Sequence, residues 1–111
     1  MSENLKFENI YCVGRNFAGH AKELGNKIPM SPLIFQKSNS AVNIKEIIEI
    51  PSNKTIEHEL EVVLLIGKEG VPKNREEAHT FISGFSIGLD LTDRRLQTEL
   101  KKKGMPWFAS K

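Results

Sequence analysis

The sequence predicts a β-rich α+β fold. Most apolar residues lie in short runs bounded by glycine, proline or polar turns, which is typical of strands, and only two segments are convincing helices. Runs of strands with few helices favour an α+β architecture. No repeat, low-complexity segment or Gly/Ser/Pro-rich linker divides the 111 residues. This length suits one domain, so we expect residues 1–111 to belong to a single folding unit.

Composition excludes several classes of protein. Apolar residues make up 39% and charged residues 27% of the chain, which excludes intrinsic disorder. With 16 basic and 14 acidic side chains, nothing favours a nucleic-acid or membrane-surface partner. A single cysteine, Cys12, excludes an internal disulfide framework and a Cys-based zinc site. The longest apolar run, 62–66, is too short for a bilayer span, and the charged N-terminus lacks a signal sequence. We therefore expect a cytoplasmic or other reducing location.

The strands and helices are placed by apolar runs, caps and breakers. Strands are expected at 8–14, Leu33–Lys37, 44–50, Ile56–Ile66 and 81–90. A helix is expected at 16–24, with Asn16 as N-cap and Gly25 just after its end. A second is expected at 93–103, with Thr92 as N-cap and Gly104 after its end, and one or two helical turns at 74–79.

The strongest chemical signal is a pair of acids in the longest strand. Side chains alternate along a strand, so Glu59 and Glu61 lie on one face. The apolar run that follows indicates that both faces become buried. Two carboxylates beside a core are costly unless a cation lies between them, and carboxylate oxygens suit Mg²⁺, Mn²⁺ or Ca²⁺. The alternative is a solvated strand end with two exposed acids.

A second signal is the strand at 81–90. One face carries Gly84, Ser86, Gly88 and Asp90, and such small residues let another group approach closely. The alternative is that Asp90 only begins the turn into the next helix.

A third signal is His20 with Glu23, which can touch at i, i+3 on a helix. A carboxylate that orients an imidazole is the usual arrangement of a general base, although surface His–Glu pairs are far commoner. For Cys12 a core position is favoured over a nucleophile. Lys111, considered alone, is a solvated terminal charge. The basic helix 93–103 is interrupted by Glu99, so it indicates a solvated face rather than a nucleic-acid surface.

Taken together, five motifs follow one another in a distinctive order and spacing. They are YCVGRNF at 11–17 followed by His20 and Glu23, LIFQK at 33–37, HELE at 58–61, GLDLT at 88–92 followed by Arg94 and Gln97, and KKKGMPW at 101–107 followed by Lys111. On these residues the chain resembles the N-terminal part of the fumarylacetoacetate hydrolase family, in particular its acylpyruvase and oxaloacetate decarboxylase branch. The resemblance covers nearly the whole chain.

The resemblance implies a fold and an assembly. Members of this branch form a mixed β-roll with peripheral helices, of the fumarylacetoacetase C-terminal-domain-like type, and usually pair as homodimers. They run to about twice this length, so residues 1–111 would be the N-terminal half of a single catalytic domain. The other half would supply the rest of the sheet and a Gly-Thr loop that contacts substrate. We expect an exposed sheet edge after Lys111.

The resemblance also implies roles for named residues. The ligands of Mg²⁺ or Mn²⁺ would be Glu59, Glu61 and Asp90. A dyad on a closing lid would activate water, and it would consist of His20 and Glu23. Lys111 would hold the substrate and stabilise developing negative charge. Further substrate contacts are expected from Arg15, Lys37 and Gln97.

The implied reaction is hydrolysis of a C–C bond in an acylpyruvate-type β-diketo acid, such as fumarylpyruvate, acetylpyruvate or a fumarylacetoacetate-like compound. An alternative on the same site is decarboxylation or tautomerisation of oxaloacetate, and an alternative of another class is a non-catalytic truncated remnant. Two positions depart from the family pattern. Phe17 stands where tyrosine is frequent, and Ser38 follows Lys37 where proline is common. Both departures are expected to affect substrate preference rather than metal binding.

Overall fold

The computed structural model describes residues 8–16, 25 and 30–111. Its elements in chain order are strands β1 (Ile10–Gly14) and β2 (Leu33–Lys37), a 3₁₀ turn (Asn39–Ala41), strand β3 (Ile56–Ile66), helix α1 (Arg75–His79), strand β4 (Ile82–Asp93), helix α2 (Arg94–Lys102) and a second 3₁₀ turn (Phe108–Ser110). The described part is strand-rich with few helices, as the sequence predicts.

The strands form two antiparallel ribbons, β1 with β2 and β3 with β4. In the shorter ribbon Cys12 pairs with Phe35. In the longer ribbon Glu59 pairs with Asp90 and Glu61 with Gly88. Because directly paired residues of an antiparallel ribbon project to the same side, this register places all three acids on one face.

The two faces of the β3–β4 ribbon differ sharply in exposure. One face carries the acids and is half-buried. The opposite face is apolar and its side chains are 48% to 75% exposed; it consists of Leu60, Val62, Leu64, Ile66, Phe85, Ile87 and Leu89. We call these seven residues the outer apolar face. An exposed patch of this kind is typical of a surface that another polypeptide covers.

The buried positions of the described residues are mostly polar. Phe81 is the one apolar side chain among them, and the others are Asp90, Thr92, Gln97 and Ser110. All four polar residues lie in β4, in α2 or in the turn that follows. The interior of this part of the fold is therefore built around polar contacts.

Helix α2 begins one residue later than predicted. Asp93, and not Thr92, is its N-cap, since the carboxylate of Asp93 accepts a hydrogen bond from the backbone N–H of Leu96 at 3.1 Å. The prediction of Thr92 as cap is wrong because β4 continues through that residue and its side chain is fully buried. Gly104, with φ of +64°, follows the helix end as predicted.

The predicted strand at 44–50 is wrong. These residues have no strand conformation, and their four isoleucines are 40% to 76% exposed. A strand is stable only when its backbone groups pair with a neighbour, and none of the described strands pairs with this segment. The predicted helix at 16–24 lies almost wholly outside the described residues. No helix in the described part of the chain is long and apolar enough to cross a membrane.

Candidate metal centre

Three carboxylates converge on the inner face of the β3–β4 ribbon. Glu59, Glu61 and Asp90 each offer one oxygen atom, and these oxygens lie within 4.8 Å of one another. Oxygen ligands at about 2.0–2.6 Å from one cation are at most roughly 4–5 Å apart. The donor set therefore fits a single hard divalent cation in geometry and chemistry. The predicted convergence of these three side chains is present.

The small residues opposite the acids have a packing reason. Gly88 pairs with Glu61, and a Cβ built at Gly88 would lie 3.1 Å from Cγ2 of Val63. A Cβ at Gly84 would lie 3.5 Å from Cδ1 of Leu65. Side chains of β3 thus lean over the glycines of β4. The close approach that the sequence predicts for this face is made by the neighbouring strand.

Asp90 is bound by a lysine at each of its oxygens. Its side chain is 7% exposed. The Lys37 Nζ donates to Oδ1 at 2.7 Å and to the backbone carbonyl of Leu91 at 3.2 Å. The Lys111 Nζ donates to Oδ2 at 2.6 Å. Two ammonium groups therefore compensate the burial of this carboxylate.

Lys111 lies inside the cluster rather than in solvent. Its side chain is 2% exposed. Besides Asp90, its Nζ donates to Thr92 Oγ1 at 2.8 Å and to Glu59 Oε2 at 3.3 Å, and it lies 5.2 Å from the centre of the Phe35 ring. The view of Lys111 as a solvated terminal charge is therefore wrong. Its burial is fixed by the turn before it, where the Ser110 hydroxyl donates to the Trp107 carbonyl at 2.7 Å.

Arg94 binds two of the acids of β3. Its Nη2 donates to Glu59 Oε1 at 2.7 Å and its Nε to Glu57 Oε2 at 2.8 Å. Burial alone would raise the pKa of Glu59, but the hydrogen bond from Arg94 and the charge of Lys111 outweigh it and hold that pKa below its ordinary value. Burial would lower the pKa of Arg94, and its bonds to Glu59 and Glu57 raise it instead.

In the sequence analysis Arg94 received no role in the site, and Thr92 received only the role of a helix cap. Both could have been found, because alternation along β4 places Thr92 on the same face as Asp90. Arg94 begins the helix directly after that strand, close to the acids of β3.

The candidates for substrate contact are distributed around this centre. Gln97 is buried and accepts from Arg94 Nη1 at 2.9 Å. Arg15 lines a surface groove together with Phe35, Lys101 and Trp107. Lys37 contacts Asp90, as described above. The proposed contacts of these residues with substrate remain predictions, and His20 and Glu23 lie outside the described residues.

Cys12 lies close to the acids on the inner face of β1. It is half-buried. Burial raises the pKa of its thiol, the negative charge of Asp90 raises it further, and the charges of Lys37 and Lys111 only partly oppose this. A thiol held in its neutral form is a poor nucleophile, which agrees with the structural role that the sequence favours.

Comparisons of the chain with a family model and with curated proteins point to the same family. The model of the fumarylacetoacetate (FAA) hydrolase C-terminal family matches residues 9–111. Among curated proteins, oxaloacetate tautomerase FAHD1 of Arabidopsis thaliana is 42% identical over 92% of this chain, and oxaloacetate decarboxylase of Dictyostelium discoideum is 43% identical over the same share. The matches cover 47% and 48% of those proteins. The chain thus spans about half the length of these relatives.

Solved structures agree with this result. A fumarylpyruvate hydrolase from Pseudomonas aeruginosa, in complex with Mn²⁺ and pyruvate, is 35% identical with a TM-score of 0.83, over 93% of this chain and 47% of its own. A fumarylacetoacetate isomerase/hydrolase-like protein from Oleispira antarctica is 43% identical with a TM-score of 0.86, over 97% and 49% respectively. On its sequence, its strand-rich architecture and these similarities, the chain belongs to the fumarylacetoacetate hydrolase family.

Proposed function

We propose that residues 1–111 form the N-terminal half of a catalytic domain that uses a divalent cation to act on a small 2-oxo acid. The observation that carries this proposal is the convergence of three carboxylates within 4.8 Å on a half-buried face, with buried cationic side chains around them. Clusters of like charge in such surroundings are typical of functional sites. Family membership and the Mn²⁺ and pyruvate in the Pseudomonas relative point to the same chemistry.

The proposed ligands are Glu59, Glu61 and Asp90, and the proposed ion is Mg²⁺ or Mn²⁺, since hard cations prefer carboxylate oxygens. Such an ion, when bound, supplies a Lewis acid for negative charge that develops on the oxygens of the oxo acid. Arg94 orients Glu59 and Lys37 orients Asp90 through the hydrogen bonds given above. Hydrogen bonds of this kind to a metal ligand fix the direction in which its oxygens point.

The remaining residues supply binding and proton transfer. Lys111 would bind the substrate and stabilise its developing charge, and Arg15, Lys37 and Gln97 would make further contacts. His20, held by Glu23, would act as the general base. In hydrolysis it would take a proton from water, and in tautomerisation it would take one from the carbon between the two carbonyl groups.

Two reactions are candidates. Tautomerisation or decarboxylation of oxaloacetate is supported by the names of the curated relatives from Arabidopsis, Dictyostelium and Escherichia coli. Hydrolysis of an acylpyruvate, which the sequence placed first, is supported by the Pseudomonas fumarylpyruvate hydrolase. The oxaloacetate reactions have at least as much support. Both reactions pass through an enolate-like species, so one site can serve either.

The assembly and location are also part of the proposal. We propose a homodimer in the complete domain and a cytoplasmic location, with no nucleic-acid or membrane partner. Relatives from Arabidopsis and Dictyostelium are named as mitochondrial, so fractionation of the source cell is the direct test of location. The competing proposal is that the chain is a truncated remnant of such a domain and has no catalytic activity.

The first experiment is titration of the chain with Mn²⁺ by calorimetry. Glu61→Gln should weaken binding by about 10-fold or more, since it removes one charged ligand. Glu69→Gln, an exposed acid in the loop after β3, is the matched control and should leave binding unchanged. Absence of Mn²⁺ binding in the unaltered chain and in every variant would overturn the proposal.

The second experiment identifies the reaction. The chain, and a fusion that continues it with the second half of the Escherichia coli relative, are assayed with oxaloacetate and with acetylpyruvate in Mg²⁺ or Mn²⁺. We expect turnover by the fusion and little by the chain alone, because a metal site needs a shaped, water-excluding enclosure. A chain that binds Mn²⁺ but whose fusion converts neither compound would favour the non-catalytic alternative.

A further inference from the structure

The hydrogen bonds of Lys111 are complete within the protein. An ammonium group has three N–H donors, and the three acceptors are Asp90 Oδ2, Glu59 Oε2 and Thr92 Oγ1. With 2% of the side chain exposed, no donor is left for a substrate. In this arrangement Lys111 cannot bind an oxo acid unless it gives up at least one of these bonds.

Two of the three acceptors belong to the proposed metal ligands. Asp90 Oδ2 and Glu59 Oε2 lie within 3.3 Å of a single nitrogen atom. The Lys111 ammonium therefore lies between two of the three carboxylates that would hold a divalent cation, and it neutralises them. A divalent cation held by the same carboxylates would lie within a few ångströms of this ammonium, and two cations repel strongly at such short separation.

We propose that Lys111 is an exchangeable internal cation: it neutralises Asp90 and Glu59 until a divalent cation displaces it, and the displaced ammonium is then presented to the substrate. This inference rests on the proposed function and adds an order of events to it. Metal binding comes first and frees Lys111, so substrate finds its lysine only in the loaded site.

Lys37 has the contrasting position on the same carboxylate. It binds Oδ1, the oxygen that Lys111 does not contact, and is also held by the Leu91 carbonyl. Because these two contacts do not involve Lys111, Lys37 stays on Asp90 when Lys111 leaves.

The test compares removal of each lysine. Mn²⁺ affinity is measured by calorimetry on the 111-residue chain and on Lys111→Met and Lys37→Met. Lys111→Met should bind Mn²⁺ about 10-fold more tightly or better, the factor expected when one charge-assisted hydrogen bond no longer has to be broken. Lys37→Met should bind no more tightly, and up to about 10- to 100-fold more weakly, because an oriented ligand loses its support.

The two variants each remove one buried ammonium from Asp90, so a general electrostatic effect would strengthen Mn²⁺ binding in both. Equal strengthening, or unchanged or weaker binding in Lys111→Met, would overturn the inference while the metal site itself stands. Failure of every variant to bind would overturn the proposed function as well. Lys111→Gln, which keeps a donor for Thr92, gives the same comparison if Lys111→Met does not fold.

A second measurement needs no substitution. The side-chain ammonium signals of both lysines are followed by ¹⁵N NMR during titration with diamagnetic Mg²⁺. The Lys111 signal should shift and its protons should exchange faster with water, while the Lys37 signal stays protected. A Lys111 signal that remains protected at saturating Mg²⁺ would contradict the proposal.

Discussion

Glu59 and Asp90 are direct partners across β3 and β4, and the ammonium of Lys111 bridges their facing oxygens at 3.3 and 2.6 Å. Like charges opposite each other destabilise a ribbon, but here a buried cation lies between them. The first two predictions below, on stability at low pH and on the Thr92 hydroxyl, follow from this bridge.

The free energy of unfolding should depend on pH because the carboxylate of Glu59 takes part in this bridge. Folding lowers the pKa of Glu59 below its ordinary value of 4.5. The ionised carboxylate therefore stabilises the fold at higher pH, and this stability is lost as pH falls through the lowered pKa. We expect the free energy of unfolding to decline below about pH 4.5, and to decline less steeply in Glu59→Gln. Urea titrations at a series of pH values measure it, with Glu69→Gln as control. Parallel curves for the two variants would refute this origin.

Thr92 should contribute to stability through its hydroxyl. The side chain is fully buried and accepts a hydrogen bond from Lys111. Thr92→Val keeps the shape but removes the acceptor, so unfolding should become easier by about 1–3 kcal/mol. Thr92→Ser keeps the hydroxyl and should lose less. Chemical denaturation of the three proteins gives the values; a valine variant as stable as the parent would contradict the expectation.

The outer apolar face should cause association of the isolated chain. Large exposed patches on a ribbon favour pairing with other chains. We expect sedimentation to give a mass above that of a monomer, and the double substitution Leu64→Lys with Ile87→Lys to shift it towards the monomer. Ile47→Lys is the matched control, since Ile47 is 76% exposed but lies outside the ribbons. A parent chain that sediments as a monomer would contradict the expectation that the outer apolar face drives association.

Cys12 should react slowly with thiol reagents. Burial and the charge of Asp90 raise its pKa, so the reactive thiolate is scarcer at mildly alkaline pH than in a free cysteine. Modification by a chromogenic disulfide near pH 8 should be at least about 10-fold slower in the folded chain than in urea. Equal rates in both states would indicate an exposed, ordinary thiol.

His20 should affect turnover without affecting the metal. In the fusion protein, His20→Ala should lower the turnover number by about 100-fold or more, because a positioned general base contributes roughly that factor. Mn²⁺ affinity should stay near that of the parent. Glu23→Gln should have a smaller effect in the same direction, since in the proposed mechanism Glu23 only orients the imidazole. An unchanged turnover number would remove His20 from the mechanism.

The sequence predicts some parts of this structure closely, and the reasons are local. The bounds of β3 follow from alternating acids, a continuous apolar run and the glycine after Ile66. The convergence of Glu59, Glu61 and Asp90 follows from alternation in two strands combined with the family resemblance. Strand periodicity sets which face a side chain takes, so these features need little knowledge of the rest of the chain.

Other parts depend on contacts between distant segments. Lys111 is buried because the backbone after α2 folds back, with the N–H of Met105 bonded to the carbonyl of Leu100 at 2.9 Å, and no local pattern specifies where its ammonium ends. The segment 44–50 has strand-like composition but no partner among the described strands. Local propensity is overridden in both cases by what the neighbouring segments offer.

The ion pair of Lys37 with Asp90 has one more consequence. Lys37 is the last residue of β2 and Asp90 lies in β4. Their ion pair therefore orients a candidate metal ligand and also connects the β1–β2 ribbon to the β3–β4 ribbon. With Phe81 as the one buried apolar side chain of the described part, little hydrophobic cohesion is available to replace it. Changes that adapt this centre to a new substrate would therefore act on the folding of the chain at the same time, which restricts the routes by which its chemistry can diverge.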